Sequence, residues 1–551
     1  MRSSNVMLPL TWLLLGLFLQ IDGYKIGILV PDISGSQVTF NQRIGNTLAE
    51  AGHTVTLVRL QMLDTKSNGI KLAKNVSEWV LDVKSDNIDF EFMKNSQSAM
   101  AFTDSSAWEF LWDKEKQKMF SIMSQAFADS CEKILENTKL MQDLKDAKFD
   151  VVFSHMYDLC PLGLQKAINA PTWIWLNSGA LMDYVAYYQG LRLQPSYAGP
   201  LLLDAGDKLT FAQRVKSEIG HFITPIFVRY LMDNRQTALF RKAYGEDFPR
   251  LTDIAKECPL VMVNSNELYD LPRPTLHKIV NIGGIGMKPA KAKPLPKEYA
   301  DKVEKAQHVV VFSFGSVANA TRMPDTWKQA FRTAFLKYSN VQFFIRFEGK
   351  DYDGIPNVHT SKWLPQVDLL QHPKTIAFIS HGGYNSLQES LVNGVPLVAI
   401  PLFGDQFRNG RIAERHGVGI VIPKGEFSSE NLVSALSQVI TDKSYAENAH
   451  RLRDMVFDKP VPVETLLVRW TEFLAKHKTL DNLKPASVHL DFVTLYNFDV
   501  YLFLAIIVYL VFYILFVVIR GVYRLVRLIV ELVRGEPDSV NGVNAGHVKR
   551  D

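Results

Sequence analysis

At 551 residues the chain exceeds one ordinary domain and implies two domains with additional segments. Its composition, 47% hydrophobic and 21% charged, excludes a disordered or low-complexity protein, and no repeat of fixed period runs through it. The formal charge is only +4, about half of it carried by the tail after Ile519, which excludes a nucleic-acid footprint.

Residues 1–23 carry Arg2, then an apolar run from Val6 to Leu19, and end on Gly23 before a polar restart. That pattern is a secretory signal peptide, too short to span a bilayer well. "YKIGILV" follows as a strand, then a loop, a helix predicted over Phe40 to Ala51 that stops at Gly52, and "HTVTLV" as a second strand. This βαβ opening argues for a parallel sheet, and "FDVVFSH" (149–155), "PTWIWL" and "PLVMVNS" continue it over a first domain at 24–285. A Pro/Lys-rich stretch, "GMKPAKAKPLPKEY", reads as an interdomain linker over 286–305. The alternation restarts over 306–480 with "HVVVFSFGS", a helix around Trp327 to Tyr338, "VQFFIRF", "TIAFISHGG", "PLVAIPL" and "GIVIP". The predicted fold is therefore α/β, two Rossmann-like doubly wound domains facing a cleft, where ligands of such sheets gather.

Val500 to Ile519 is an uncharged run of twenty apolar residues, the length of a transmembrane helix. Arg520, Arg524, Arg527 and Arg534 follow it, so the positive-inside bias places the tail, 520–551, in the cytoplasm and the body in the lumen. The same arginines interleave with Leu525, Val526, Leu528 and Ile529, an amphipathic pattern suited to a membrane surface. A luminal body makes the "NVS" at Asn75 and the "NAT" at Asn319 glycosylation acceptors, against the alternative of chance occurrence. Three cysteines, Cys131, Cys160 and Cys258, permit one disulfide whose pairing the sequence leaves open.

Neither half carries G-x-G-x-x-G after its first strand or a P-loop, which disfavours a nicotinamide dehydrogenase or a nucleotide triphosphatase. The densest motif is "FISHGGYNSLQESLVNGVPLVAIPLFGDQFRN", from Phe378 to Asn409. A strand ends there in His381-Gly382-Gly383, and a helix begins at Tyr384. Backbone N–H groups at a helix start favour an anion, the glycines allow close approach, and His381 adds a donor. Asn385 and Glu389 stand one helical turn apart on one face. The amide suits a phosphate and the carboxylate a ribose diol, while Asp405 and Gln406 at the end of the next strand suit sugar hydroxyls. Singly, each is more often a cap or a solvated face; together they fit a sugar–diphosphate–nucleoside. "DYD" at Asp351 to Asp353 has metal-pair spacing but lies in a polar loop, so it reads as a solvated turn and no metal site is expected.

With "AGHTVTL", "LPRPTLHKIVNIGGI", "FSFGS" and "KWLPQVDLLQHPKTIAFISHGG" in place, nearly the whole chain resembles the UDP-glycosyltransferase family. Within it, the chain is most similar to the membrane-bound UDP-glucuronosyltransferases of animals, with the flavour of invertebrate, nematode members. The resemblance implies the two-domain GT-B fold, inversion at the anomeric centre, no metal, and no cofactor beyond the UDP-sugar co-substrate. It also implies an endoplasmic reticulum membrane protein and homo- or hetero-oligomers with family members. In the donor site it implies, Trp363 stacks on uracil and Gln366 bonds the base edge or the ribose. Ser313, Gly315 and Ser316 of "FSFGS", with His381, Gly382, Gly383 and Asn385, hold the diphosphate, Glu389 takes the ribose hydroxyls, and Asp405 and Gln406 take the sugar. The first domain is expected to bind a small lipophilic acceptor with a hydroxyl, through the aromatic stretch Ala101 to Phe127 and the apolar segment Gly220 to Leu231.

Two positions depart from the family. Where it usually places a catalytic His in the loop after the first strand, this chain has Gln37, and where it places the acidic partner, this chain has His155. Gln cannot act as a base near neutral pH. Two readings stay open: His155 serves as base with Asp158 as its orienter, or the chain is a weakened UDP-sugar binder that partners active relatives. A lectin-like binder fits less well, since a lectin needs no diphosphate cradle. Glucuronate and glucose are both candidate sugars, because Asn264 stands where vertebrate glucuronosyltransferases tend to carry Arg.

Overall fold

The computed structural model describes residues 23–63, 69–88, 101–103, 113–287, 294–315 and 318–535. Residues 1–22 of the segment read as a signal peptide, Ser316, and the tail from 536 lie outside the described residues.

Residues up to Val488 make one compact unit containing two wholly parallel sheets. The first holds β1 (Lys25–Asp32), β2 (Thr54–Gln61), β3 (Val76–Asp82), β4 (Val151–His155), β5 (Trp173–Asn177), β6 (Leu260–Val263) and β7 (Ile279–Asn281), in the spatial order β3-β2-β1-β4-β5-β6-β7. The second holds β8 (His308–Ser313), β9 (Val341–Arg346), β10 (Val358–Ser361), β11 (Thr375–Ser380), β12 (Leu397–Ala399) and β13 (Gly419–Val421), in the order β10-β9-β8-β11-β12-β13. Chain direction across each sheet reverses at one point, between β1 and β4 and between β8 and β11, which is where doubly wound folds bind ligands.

Both faces of each sheet are covered, which explains the continuous apolar runs of its central strands. In β1, Ile26, Ile28 and Val30 enter one core and Leu29 the other; in β8, Val310 and Phe312 face one core and Val309 and Val311 its opposite. The last helix of the range read as the second domain, Val463–His477, puts Leu467, Leu474 and Ala475 into the core of the first sheet. Full burial of a leucine contributes about 1.5–3 kcal/mol, so this helix ties the chain's return to the first lobe. Within the segment read as a linker, Lys297–Lys305 is a helix whose Tyr299 and Val303, one turn apart, are buried in the second lobe.

Helix α1 spans Gly35–Glu50, so it begins five residues ahead of its predicted start and carries Gln37 in its first turn rather than in a loop. The turn is closed by the backbone N–H of Gln37 on the Ser34 carbonyl at 3.1 Å. Helix α2, Phe211–Val228, starts with a capping box of Thr210 and Gln213, contains Pro225, and runs into a π turn at Arg229–Asp233. Cys131 and Cys160 form the disulfide, and Cys258 is free and buried.

The acceptor-lining expectation fails at the start of the aromatic stretch. Ala101 and Phe102 are wedged into the core of the second lobe, Phe102 against Phe314 and Trp327 with centroids 6.1 and 5.6 Å away. Buried Lys424 fastens them by donating to the carbonyls of Ala101 and Thr103 at 3.3 and 2.6 Å. Residues 104–112 of that stretch lie outside the described residues. A separate unit, His489–Asp551, contains one continuous helix over Phe498–Arg534, which joins the predicted span and the arginine-bearing segment after it. Its length and composition suffice to cross a membrane.

Candidate active site

The second lobe builds one wall of the cleft. Helix α3 (Gln366–Gln371) starts just after the loop bearing Trp363, and helix α4 (Tyr384–Asn393) follows the turn after β11. Trp363 is 69% exposed, and the Arg346 guanidinium lies 5.1 Å from its ring centroid. The Trp363 backbone is fixed, its carbonyl accepting from the Tyr299 hydroxyl at 3.1 Å and the Ser361 hydroxyl at 2.8 Å. Gln366 donates to Glu389 Oε2 at 2.7 Å. Arg43, reaching over from α1, stands 4.0 Å from Glu389 Oε1. Burial raises the Glu389 pKa, and Arg43 and the Gln366 hydrogen bond oppose that rise. Trp363, Gln366 and Glu389 are thus brought together, with a carboxylate that two donors hold ready for hydroxyls.

Beside them the His381 imidazole sits between two glycines. A Cβ on Gly315 would lie 2.7 Å from the ring, and one on Gly383 would lie 2.5 Å from Nε2. Gly315 and Gly382 have φ of 72° and 76°, values that favour glycine. Ser313 Oγ accepts from the Gly315 N–H at 3.2 Å, and Ser380 Oγ from the Gly382 N–H at 3.2 Å. Burial pushes the imidazole pKa down to about 4 against the raising effect of a hydrogen bond to the Ser313 backbone, so the ring is neutral near pH 7. Glycine turns, a ring and a helix N-terminus adjoin here, an arrangement whose backbone N–H groups can receive an anion.

Asn385, Asp405 and Gln406 take on more than the sequence suggested. Asn385 Nδ2 donates to the Ser36 carbonyl at 3.4 Å, and its Oδ1 accepts from Asn264 at 3.4 Å, so it bridges the lobes. Gln406 Oε1 accepts from the N–H groups of Leu402 and Phe403 at 2.9 and 3.1 Å, which shapes the loop ahead of helix α5 (Gln406–Arg415). Asp405 Oδ2 accepts from Asn409 Nδ2 at 2.9 Å, and burial raises its pKa. Its charge also adds to the raised pKa of Tyr157 in the first lobe, which burial chiefly causes.

That strand end carries the other candidates. His155 Nδ1 accepts from the Tyr157 backbone N–H at 3.2 Å, so Nε2 carries the proton and faces Asp158 Oδ1 at 3.7 Å. Neither of those two facing atoms makes a hydrogen bond among the described residues. Asp158 Oδ2 accepts from Gln236 Nε2 at 2.8 Å. Burial pushes His155 down to about 3 and Asp158 up to about 7, so both lean towards their neutral forms. The expected contact of His155 with Asp158 is present, yet in this arrangement no ring nitrogen offers a lone pair to the cleft. Gln37 is partly exposed, one residue from the Ser36 carbonyl that meets Asn385, and its Oε1 has no partner among the described residues. Asn75 and Asn319 are exposed, and Asn319 Oδ1 accepts from the N–H and hydroxyl of Thr321. Asp351 contacts Lys328 at 3.1 Å.

Sequence reasoning missed the buried junction between the lobes. Gln388 donates to Asn264 Oδ1 at 3.1 Å and to the Tyr269 hydroxyl at 2.8 Å, the Tyr384 hydroxyl donates to Ser265 Oγ at 2.9 Å, and Arg408 pairs with Asp270. The available signal was Gln388 itself, a polar residue on the buried face of an amphipathic helix.

A family model described as "UDP-glucoronosyl and UDP-glucosyl transferase" matches residues 27–531. Among curated proteins, Caenorhabditis elegans ugt-60, named as a UDP-glucuronosyltransferase, is 32% identical over 87% of this chain and 95% of its own length. Human UDP-glucuronosyltransferase 1A8 is 31% identical over 87% of this chain and 88% of its own. Among solved structures, Phytolacca americana UGT2, complexed with UDP-2-fluoroglucose and pterostilbene, shares the fold with a TM-score of 0.53 at 14% identity, over 83% of this chain and all of that one.

Proposed function

The chain belongs to the UDP-glucuronosyl and UDP-glucosyl transferase family and is a UDP-glycosyltransferase; from that premise we propose that it transfers glucuronate or glucose, with inversion, to the hydroxyl of a small lipophilic acceptor. One observation carries the donor half of this reading: an exposed indole, a braced carboxylate and a glycine-flanked imidazole just ahead of a helix N-terminus all belong to the second lobe. In this reading Trp363 stacks on the uracil, Gln366 and Glu389 hold the ribose, and Ser313, Gly315, His381 and the N–H groups of the 382–383 turn hold the diphosphate. Asp405 and Gln406 face the sugar. The leaving charge falls on the cradle, so the reading needs no metal.

For the transfer step, the acceptor oxygen bonds the anomeric carbon, the bond from that carbon to the phosphate oxygen breaks, and UDP departs with the electron pair. The acceptor proton goes to His155 Nδ1, which must exchange the Tyr157 N–H for the acceptor hydroxyl while Asp158 steadies the Nε2 proton. The depth of His155 and its lowered basicity favour a second reading, a weakened donor-binding member that partners active relatives. The hydrophobic N-terminal segment and the arginines after the apolar helix support an endoplasmic reticulum membrane protein with a luminal body, and Asn75 and Asn319 are proposed glycosylation sites.

The readings separate in the full chain. General-base assistance contributes ~10²–10⁴-fold, so His155→Ala should lower kcat by about that factor with UDP affinity nearly unchanged. Gln37→His places an imidazole on the first turn of α1 beside the cradle. A rise in turnover there, from a wild type with none, establishes the weakened-member reading. Robust transfer by His155→Ala removes His155 as the base.

A further inference from the structure

Helices α1 and α4 belong to different lobes and meet at two points. Near the start of each, Asn385 Nδ2 donates to the Ser36 carbonyl at 3.4 Å; one turn further along α4, Glu389 Oε1 faces Arg43 Nη2 at 4.0 Å. On α1 the two partners stand seven residues apart, about two turns, so one face of α1 follows one face of α4. The Arg43 side chain is held in place: it is 14% exposed, and its stem lies against Gly286, where a Cβ would approach Arg43 Cβ and Cγ to 3.1 Å. Gln366 of α3 occupies Glu389 Oε2 at 2.7 Å, whereas Arg43 stands beyond hydrogen-bond distance of Oε1. Oε1 thus has a positive charge beside it and keeps the capacity to accept from a hydroxyl.

A buried carboxyl needs such a charge to stay ionised, since burial favours its neutral form. Burial does raise the Glu389 pKa, and the charge opposing that rise is Arg43. Other cations near α4 are placed elsewhere. Helix α4 has none of its own, and Arg408 of α5 pairs with Asp270. On the neighbouring helix Lys443–Phe457, His450 and Arg453 lie against Gly394, past the end of α4. We propose that Arg43 is a positioning residue for the donor: from the first lobe it supplies the counter-charge with which Glu389 accepts from the ribose hydroxyls, so the ribose is read in full only when the two lobes are together. Arg43 has this role on the premise, taken from the proposed function, that Glu389 holds the ribose. It makes a residue of the opposite lobe part of donor recognition.

The test compares calorimetric binding of UDP and 2′,3′-dideoxy-UDP to the full chain across pH. The analogue keeps the uracil and the titrating diphosphate and lacks the hydroxyls, so the ratio of the two affinities reports the ribose contact alone. In the wild type near pH 7 that ratio should be roughly 10- to 100-fold, as expected for hydrogen bonds to a charged group. The carboxylate is the binding form, so the ratio is full above the Glu389 titration and falls by up to about tenfold per pH unit as pH drops through it. Arg43→Met keeps the stem against Gly286 and removes the charge. Its ratio should start to fall at a higher pH and lie at least about fivefold below the wild type's where the latter begins to drop, with dideoxy-UDP affinity unchanged. Arg43→Gln repeats the measurement if the methionine variant does not fold. Glu389→Gln should lower the ratio and remove its pH dependence, and Arg43→Met should change nothing further in that background. A ratio that falls at the same pH with and without Arg43 overturns the proposal while leaving Glu389 on the ribose. Equal weakening of both ligands by Arg43→Met does the same, because Arg43 then only packs. A wild-type ratio in Glu389→Gln removes the ribose assignment itself, and the role of Arg43 with it.

Discussion

Gly383→Ala isolates the part of the cradle on which the donor reading leans most. Gly383 has φ −57° and ψ 143°, a backbone any residue adopts, so alanine brings no conformational strain there. Its Cβ would stand 2.5 Å from His381 Nε2 and 2.8 Å from Cε1, closer than non-bonded carbon atoms approach, so the imidazole must swing away. The fold loses little, because exchanging glycine for alanine at an N-cap costs under about 1 kcal/mol. The donor loses the hydrogen bond from His381 to its charged diphosphate, about 1.5–3 kcal/mol, which is roughly 10- to 100-fold in affinity. Gly315→Ala displaces the same ring and also puts alanine at a φ of 72°, adding about 1–2 kcal/mol of instability. Calorimetric UDP binding and thermal unfolding should therefore show two variants equally weak for UDP and unequal in stability. In a His381→Ala background, Gly383→Ala should leave UDP affinity unchanged. Wild-type UDP affinity in Gly383→Ala, or an effect fully additive with His381→Ala, would falsify the placement of the ring in the donor site.

Two further perturbations probe the opposite ends of the cleft. Trp363→Ala should weaken UDP roughly 5- to 100-fold by removing a base-stacking face worth about 1–3 kcal/mol, and it should leave the melting temperature nearly unchanged because the ring is 69% exposed; unchanged affinity moves the uracil elsewhere. Asp158→Asn tests the buried pair through pH. The folded pKa of Asp158 is raised from 3.8 to about 7, so its contribution to stability is fully present below pH 3.8 and is lost as pH rises through 7. The variant should gain stability relative to wild type between about pH 4 and pH 7 and hold that gain above it; a stability difference that does not vary with pH contradicts the burial of the carboxyl.

The sequence was most readable where structure is local or continuous. Central strands buried on both faces, such as "VVVFS" in β8, announce themselves as apolar runs. The unpredicted strands β3, β7 and β10 are all sheet edges; "VSEWVLD" and "VHTS" are half exposed and mix polar with apolar residues, and β7 has only three residues. The cradle was legible because a strand end, two glycines and a helix start adjoin in sequence. Arg43 on Glu389, Asn264 on Gln388, and Phe102 in the core of the other lobe were not, since each pairs residues far apart in the chain. The pairing of Cys131 with Cys160 likewise depends on how a helix packs beside β4, which spacing alone does not encode. The first turn of α1 was missed because Ser34 caps it without a side-chain hydrogen bond and no acidic residue follows.

The central claim is that this cleft holds a UDP-sugar against the second lobe and passes its sugar to an acceptor in the first. The most direct measurement incubates the full membrane-bound chain with UDP-glucuronate, UDP-glucose and other UDP-sugars, and follows UDP release with and without mixtures of lipophilic hydroxyl compounds. The account predicts acceptor-dependent UDP release with glucuronate or glucose as donor, insensitive to chelator and lowered roughly 5- to 100-fold at sub-saturating donor in both Trp363→Ala and His381→Ala. Release that requires a divalent metal, or that is undiminished at sub-saturating donor by both substitutions, would contradict it.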